Sequence, residues 1–440
     1  MADAAHRIVN LAEHALSTPF PLRVRAWDGS EAGPSGAPVL VVRRRRALRR
    51  LLWKPGELGL ARAWVAGDLD VDGDLYTALD LLSGLFWNRG EGDPAATRAE
   101  TLRRAGTFLR DPATYRLARS ALSLAGPGLP PAAPPEEVRK RTGIAHSKRR
   151  DKAAIAHHYD VGNAFYALFL GPSMVYSCAV WPAADTTLEQ AQYAKLDLVC
   201  RKLQLREGQR LLDVGCGWGS MVLHAAEHYG VHATGIKLSG EQAAYARKRI
   251  SEAVLTDRVD IRVQDYRDVK DGPYDAISSI GMAEHVGNER YLEYAGTLYS
   301  LLRPGGRLLN HQIARRPLID EEAYRIDEFI DRYVFPDGEL APVGATITRL
   351  EQAGFETRDM EALREHYALT LRAWVANLEK RWDEAAAATS AGRARVWRLY
   401  MAASAVSFER NRIGVNQVLA VRPESDGSSG MPATRSQWLS

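Results

Sequence analysis

The residues whose types and spacing most clearly could do chemistry lie in Leu211-Leu-Asp-Val-Gly-Cys-Gly-Trp-Gly-Ser220. An apolar run ends in Asp213, and Gly215, Gly217 and Gly219 follow at alternate positions. The apolar part has the pattern of a strand buried on both faces. Glycines let the backbone turn sharply and approach a ligand that a Cβ would exclude. Residues 221–229 then carry a helical pattern, so the first N–H groups of that helix face whatever lies over the turn. This suits a nucleotide-like ligand. The spacing is neither the Gly-x-Gly-x-x-Gly dinucleotide fingerprint nor a phosphate loop ending in Lys-Ser/Thr. The alternative is a strand–turn–helix corner that binds nothing.

The elements that must position this turn alternate in type. Residues 211–214, 232–236, 259–263, 276–279 and 307–312 are strand-like; 220–229, 239–253 and 289–302 are helix-like. Such alternation predicts an α/β fold with a doubly wound, mostly parallel sheet, whose ligands bind beyond the carboxyl ends of the strands. Upstream, residues 1–123 are expected to form a smaller, α-rich domain, with a strand at 39–42 and helices at 45–53 and 75–86. Gly126-Pro-Gly-Leu-Pro-Pro-Ala-Ala-Pro-Pro135 does not continue a helix, so 124–150 is expected to be a Pro-rich and basic linker. The second domain then spans 151–423. Residues 424–440, rich in Ser, Gly and Pro, are expected to be disordered.

At 440 residues the chain is long for one core, which favours two domains. Its 46% apolar and 25% charged residues are those of a globular protein. Apolar stretches such as 78–87 are too short to cross a bilayer, and the N-terminus lacks a signal-peptide pattern. Cys178, Cys200 and Cys216 form neither a disulfide framework nor a metal spacing, so a reducing cytoplasm and no metal are expected. Net charge is only +4, but basic residues cluster at Arg43-Arg-Arg-Arg46, Arg49, Arg50 and Lys54, and at Arg139-Lys-Arg141, Lys148-Arg-Arg150 and Lys152. They read either as solvated helix faces or as contacts to anionic lipid, at about 1 kcal/mol per basic residue. No nucleic-acid motif accompanies them, and aromatics are not interleaved, so nucleic acid is not expected.

Asp-x-Gly-x-Gly after a strand resembles motif I of S-adenosylmethionine (SAM) dependent methyltransferases. Further motifs narrow the resemblance: His158-Tyr-Asp160, Tyr176-Ser-Cys178, Leu238-Ser-Gly-Glu-Gln242, Glu284-His-Val-Gly287, His311-Gln-Ile313 and His366-Tyr367, in that order. Together they resemble the cyclopropane-fatty-acyl-phospholipid synthase family, which includes the mycolic acid cyclopropane synthases, over residues 157–421. A weaker echo lies at 59–75.

The resemblance implies that SAM is held by Tyr176, Ser177, Asp213, Gly215, Gly217, Gly219, Ser239, Gln242, Asp265 and Tyr266, with Lys237 standing where Thr is usual. It implies a bicarbonate ion held by Cys178, Glu284, His311, the backbone at Ile313, and Tyr367. Its substrates would be unsaturated phospholipid acyl chains at an anionic membrane surface, reached from the cytoplasmic inner face, with a homodimer a common family state. An isolated cis double bond is a weak nucleophile. Methyl transfer leaves a carbocation, and a base must then take a proton from the new methyl in a pocket that excludes water. A relative adding a methyl or methylene branch shares the first step, and a SAM- or lipid-binding protein without catalysis is the alternative from another class. Each residue also has a plainer reading: Cys178 as a small core residue, Glu284 pairing with His285, His311 as a core histidine, Tyr367 as packing. Asn310 and Gln312, where Leu and Thr are usual, are expected to alter pocket shape, and the aromatic-rich 324–335 with Trp374 to wall an acyl tunnel.

Overall fold

The computed structural model describes residues 3–86, 112–138, 148, 150 and 161–439. The His158-Tyr-Asp160 motif and most of the second basic cluster lie outside them. The chain divides into two compact units: Met1–Arg139 with Asp327–Val334 and Ser390–Val406, and Lys140–Ile326 with Phe335–Thr389 and Ser407–Ser440.

The first unit comprises α1 (Ala4–Leu16), β1 (Arg23–Arg25), β2 (Glu31–Ala32), β3 (Val39–Val42), α2 (Arg46–Trp53), α3 (Glu57–Val65), β4 (Leu69–Asp72), α4 (Leu75–Phe86) and α5 (Pro112–Ala125). Its strands form a sheet in the order β2-β1-β3-β4 over a core that includes Ile8, Val24, Val42, Ala63 and Leu69. It is not the continuous 1–123 expected, because two distant segments complete it. The Trp64 indole donates to the Arg395 carbonyl (2.9 Å), and the Arg395 guanidinium stacks on that ring at 4.5 Å. Glu137, in the supposed linker, accepts from Arg62 (2.6 and 2.7 Å) and Arg332 (2.8 Å).

The basic cluster on α2 is largely committed to internal partners. Buried Asp68 accepts from both Arg46 (2.9 Å) and Arg50 (3.1 Å). Arg43 pairs with Asp70 (2.8 Å), Arg45 covers Trp27, and Arg49 donates to the Pro127 carbonyl (3.2 Å). In the second cluster, Lys148 pairs with Asp268 and Arg150 with Asp337, both at 2.6 Å.

The second unit contains α6 (Asn163–Leu170), α7 (Leu188–Leu203), β5 (Arg210–Val214), α8 (Ser220–Tyr229), β6 (His232–Lys237), α9 (Gly240–Glu252), β7 (Val259–Val263), β8 (Tyr274–Ile280), α10 (Tyr291–Leu301) and β9 (Leu302–Arg315). There follow α11 (Val343–Gln352), β10 (Glu356–Ala362), α12 (Arg364–Lys380), α13 (Trp382–Ala388), α14 (Ala391–Glu409, most of it counted with the first unit), β11 (Ile413–Val421) and α15 (Ser436–Leu439). The seven-stranded sheet runs β10-β11-β9-β8-β5-β6-β7. Strands β5 to β9 are parallel; β11 runs antiparallel to β9 and to β10 beyond it, and the sequence pattern did not reveal these two additions. Winding goes one way from β5 to β7 and the other way from β8, so the switch point lies at the carboxyl end of β5, where the glycine turn sits.

Both faces are covered. Helices α7, α8 and α9 close one core with Val199, Val222 and Ala246; α10 and α11 close the other with Tyr294, Leu298 and Leu350. The tail also departs from expectation. It carries α15, and Trp438 is buried in the first of these cores. One large aromatic outweighs the polar composition around it, because burying it removes on the order of 200 Å² from water.

Candidate active site

The glycine turn takes the conformation its sequence requires. Gly215, Gly217 and Gly219 have φ of 86°, 54° and 83°, the left-handed region that side chains disfavour. Space matters as well: a Cβ on Gly219 would lie 3.0 Å from Ala246 Cβ, whereas one on Gly217 would project into open space. The amides of Gly215 and Cys216 both donate to the Ile236 carbonyl (3.0 and 3.1 Å), tying the turn to β6.

Above this turn lies an open cleft. Of the expected cofactor residues, Gly215, Gly217, Gln242, Asp265 and Tyr266 line it, as does Lys237. Ser239 does not; its hydroxyl caps α9 by accepting the Gln242 amide. Asp213 lies beneath the turn and accepts from Ser278 (2.7 Å), and burial pushes its carboxyl up to about 6. Ser177 is fixed from behind by buried Lys195, which donates to its hydroxyl (3.0 Å), and Gln192 donates to its carbonyl (2.9 Å). Tyr176 packs in an aromatic group with Tyr166 and Trp374, at ring distances of 5.7 and 5.4 Å. Asp265 is bidentate to Arg267 (2.8 and 2.7 Å).

Lys237 has a defined place. Its ammonium donates to the Gly217 carbonyl (3.0 Å) and to Gln242 Oε1. Lysine here has only protons to give its neighbours, so it holds the amide oxygen and turns Gln242 Nε2 away. That nitrogen is buried and meets no hydrogen-bond partner among the described residues. A glycine cradle with a buried, unmatched amide donor is what a ribose hydroxyl or a similar oxygen would satisfy. The residues present fit SAM.

A second group of residues lies outside this cleft's lining. Glu284 follows β8, and its Oε1 accepts the Ile313 amide (2.8 Å). The plainer pairing with His285 is therefore not formed; His285 faces the cleft and the Phe335 ring instead. His311 lies two residues before Ile313, so both project from the same face of β9. Its Nδ1 is 3.2 Å from Gln417 Nε2 on the neighbouring strand. The buried Cys178 thiol contacts the carbonyls of Ala179 (3.2 Å) and Leu363 (3.6 Å), the second at the start of α12, whose first turn carries Tyr367. The segment after Cys178 is stapled to α12, the Ala179 amide donating to Thr370 (3.1 Å) and the Trp181 amide to His366 (3.0 Å).

Burial sets the electrostatics here. It raises the Glu284 carboxyl to about 7, with the Ile313 N–H pulling the other way. It drives His311 down to about 3, assisted by the charges of Lys195 and Lys202, so the ring is neutral at any working pH. Burial also pushes the Cys178 thiol up, so it is not a thiolate. Glu284 Oε2 and His311 Nε2 are both buried without a hydrogen-bond partner among the described residues. One is an acceptor and the other a ring nitrogen, and each is left in want of a polar partner of the kind a small anion carrying a hydroxyl offers. The residues fit bicarbonate, with one difference from expectation: the Ile313 amide is used by Glu284, so it would act on the ion through that carboxylate.

Two expectations change. Asn310 and Gln312 do not face the pocket. Strand alternation sends them to the opposite face of β9, where the Tyr291 hydroxyl donates to Gln312 (2.8 Å) and Gln312 donates to Thr346 (2.9 Å). The aromatic-rich 324–335 is also not one wall. Phe329 and Tyr333 pack together in the first unit, while Tyr324 lies under Arg315 in the second. Sequence reading missed Lys195, Lys202 and Gln417; the only signal was a pair of lysines seven apart on the packed face of α7.

A family model described as mycolic acid cyclopropane synthetase matches residues 146–418. A probable fatty acid methyltransferase of Mycobacterium tuberculosis is 45% identical over 419 residues, covering 94% of this chain and 93% of that protein. The chain belongs to the mycolic acid cyclopropane synthetase family. The cyclopropane-fatty-acyl-phospholipid synthase of Escherichia coli (strain K12) is 37% identical over 64% of this chain and 71% of its own. Among solved structures, the mycolic acid cyclopropane synthase CmaA1 complexed with SAH matches at a TM-score of 0.58 and 33% identity, covering 61% of this chain and 97% of that one. As a member of this family the protein is a SAM-dependent methyltransferase, and its second unit has the class I methyltransferase fold. Among the described residues, no helix is long and apolar enough to cross a membrane.

Proposed function

We propose that the enzyme adds a methylene across a cis double bond of phospholipid acyl chains, forming a cyclopropane ring. The observation that carries this reading is the pair of buried, unmatched atoms Glu284 Oε2 and His311 Nε2, set apart from the cofactor cleft. A protein that only bound SAM or lipid would have no use for them. When bound, SAM supplies an electrophilic methyl and bicarbonate a base of moderate strength. The alkene attacks that methyl, the C–S bond breaks, S-adenosylhomocysteine departs, and the acyl chain holds the positive charge. Loss of a proton from the new methyl then closes the ring. Glu284 would orient the base by accepting its hydroxyl, and His311, Cys178 and Tyr367 would fix its position in a pocket that excludes water.

A second reading, transfer of a methyl or methylene branch to a fatty acyl chain, is favoured by the relatives that match nearly the whole chain. Both the M. tuberculosis protein and a Pseudomonas putida relative, 38% identical over 94% of this chain, are named probable fatty acid methyltransferases. The two products differ in the fate of the carbocation. Loss of a proton from the new methyl with C–C closure gives the ring, whereas a 1,2-hydride shift followed by loss of a methyl proton gives a methylene branch; a saturated methyl branch would further require a two-electron reductant. Incubation with SAM and dioleoyl phospholipid, followed by gas chromatography–mass spectrometry of the fatty acids, separates them: a saturated ring supports the first, a branch the second, and no product sinks both.

Contact with anionic membrane from the cytoplasmic side is part of the same proposal. Its support lies in exposed Trp53 and Leu52 at the end of α2, rather than in the basic cluster as a whole.

A further inference from the structure

Gln417 and His311 are direct partners across the β11–β9 pair, and their side chains meet at 3.2 Å. On the other side of the amide, Lys202 Nζ lies 2.8 Å from Gln417 Oε1. Lys202 is fully buried and ion-paired with Glu361 (2.5 Å), with Asp359 at 3.7 Å. An ammonium has no lone pair, so the amide atom facing it must be the oxygen. The amide nitrogen therefore faces His311, and an NH₂ group only donates. His311 Nδ1 must accept, which excludes both the Nδ1–H tautomer and the imidazolium. The one proton of the neutral ring then sits on Nε2.

We propose that Gln417, oriented by Lys202, is a positioning residue that locks His311 as a neutral Nε2–H donor to the anion beside Glu284. This rests on reading the pocket as the base site. The chemical gain is twofold. A protonated Nε2 gives an oxyanion a hydrogen bond, and it withholds a lone pair that would be a better nucleophile toward a sulfonium methyl than any alkene. A histidine free to choose its tautomer would offer that lone pair part of the time. The other groups facing this network are Lys195, which lowers the His311 ring's affinity for protons, and Arg435, which meets Glu361 at 3.2 Å.

The test is a change of tautomer at nearly constant shape. In Gln417→Glu, the carboxylate still accepts from Lys202 but now also accepts from the ring, which moves the proton to Nδ1. Full-length protein labelled with ¹³C,¹⁵N-histidine reports the tautomer through its ring shifts, with His311→Gln supplying the assignment. The wild type is expected to show Nε2–H across the neutral range. Gln417→Glu should show Nδ1–H, with kcat down on the order of tenfold or more, KM for SAM within about twofold, and an unchanged melting temperature. Gln417→Leu, which neither donates nor accepts, should show both tautomers and an intermediate loss of kcat. A wild-type ring protonated on Nδ1 overturns the proposal whatever the enzyme makes. So does a Gln417→Glu variant whose tautomer and kcat both match wild type. If no acyl product forms while the wild-type ring is Nε2–H and shifts in the variant, the functional reading fails and the positioning role stands.

Discussion

The cofactor cleft and the Glu284–His311 pocket use one device in two settings. In each, a buried lysine clamps the oxygen of a glutamine and thereby turns its nitrogen into an aimed donor: Lys237 with Gln242, and Lys202 with Gln417. In the cleft the lysine itself lines the cavity, and burial lowers its amine to about 7. In the pocket the lysine stands one residue back, and Glu361 supports its charge against the downward pull of burial. Near neutrality the cleft can therefore change charge at Lys237 and the pocket at Glu284, while His311 stays neutral and Lys202 keeps its ion pair with Glu361. The difference lies in where the titrating group stands: in the cleft it is the clamping lysine itself, in the pocket it is a carboxyl apart from the clamp.

The strongest way to break this comparison is at Glu284. Glu284→Gln removes the acceptor and leaves the cleft untouched, so product formation should fall by about 10²–10⁴-fold with SAM affinity within about twofold. Equal losses in rate assays and in SAM calorimetry would show that the two regions are not separable. From the other side, Gly217→Ala forces a side chain into the left-handed region at a cost of roughly 1–2 kcal/mol and points it into the cleft. The KM for SAM is expected to rise about tenfold with a smaller change in kcat, and a kcat-only defect would count against the cleft as the SAM site.

Titration sharpens the comparison further. Raising pH through about 7 discharges Lys237, because its amine is depressed, and ionises Glu284, because its carboxyl is raised. A discharged lysine repels the sulfonium less, so SAM affinity should climb roughly fivefold between about pH 6 and 8, equivalent to about 1 kcal/mol. That climb should flatten in Lys237→Thr. Over the same window kcat should rise as Glu284 becomes an acceptor, and that limb should survive in Lys237→Thr. A rate profile that follows Lys237 instead would merge the two regions.

The smallest effect is expected at Asn310. Its amide donates to Gln312 (2.7 Å) on the face of β9 away from His311, so Asn310→Leu should change product and kcat little. It should cost about 1 kcal/mol of stability by opening that buried network, measured in urea. A changed product would return Asn310 to the pocket.

Much of the cleft was legible along the chain, because it is built from contiguous pieces. The glycines after β5 and the strand–helix alternation each follow from local rules, and α8 and β7 begin and end where the pattern put them. Asn310 and Gln312 were misread because a substitution beside His311 looks like a pocket change until strand alternation assigns it a face. The first unit's local elements at 39–42, 45–53 and 75–86 were legible, but its full extent was not: Arg395 and Arg332 complete it from more than 190 residues away in partnerships with Trp64 and Glu137, and nothing local marks them.

By itself, then, the sequence determined the cofactor class and the sheet that carries it, since periodicity, glycine conformation and motif order are properties of short segments. Only the tertiary structure decided how the pocket is wired. His311 and Gln417 are 106 residues apart, and Lys202 and Gln417 are 215 apart. Cross-strand pairing and helix docking bring them within hydrogen-bond reach, and burial then shifts Glu284 and His311. Neither contact nor dielectric is encoded at any one position, so both had to wait for the fold.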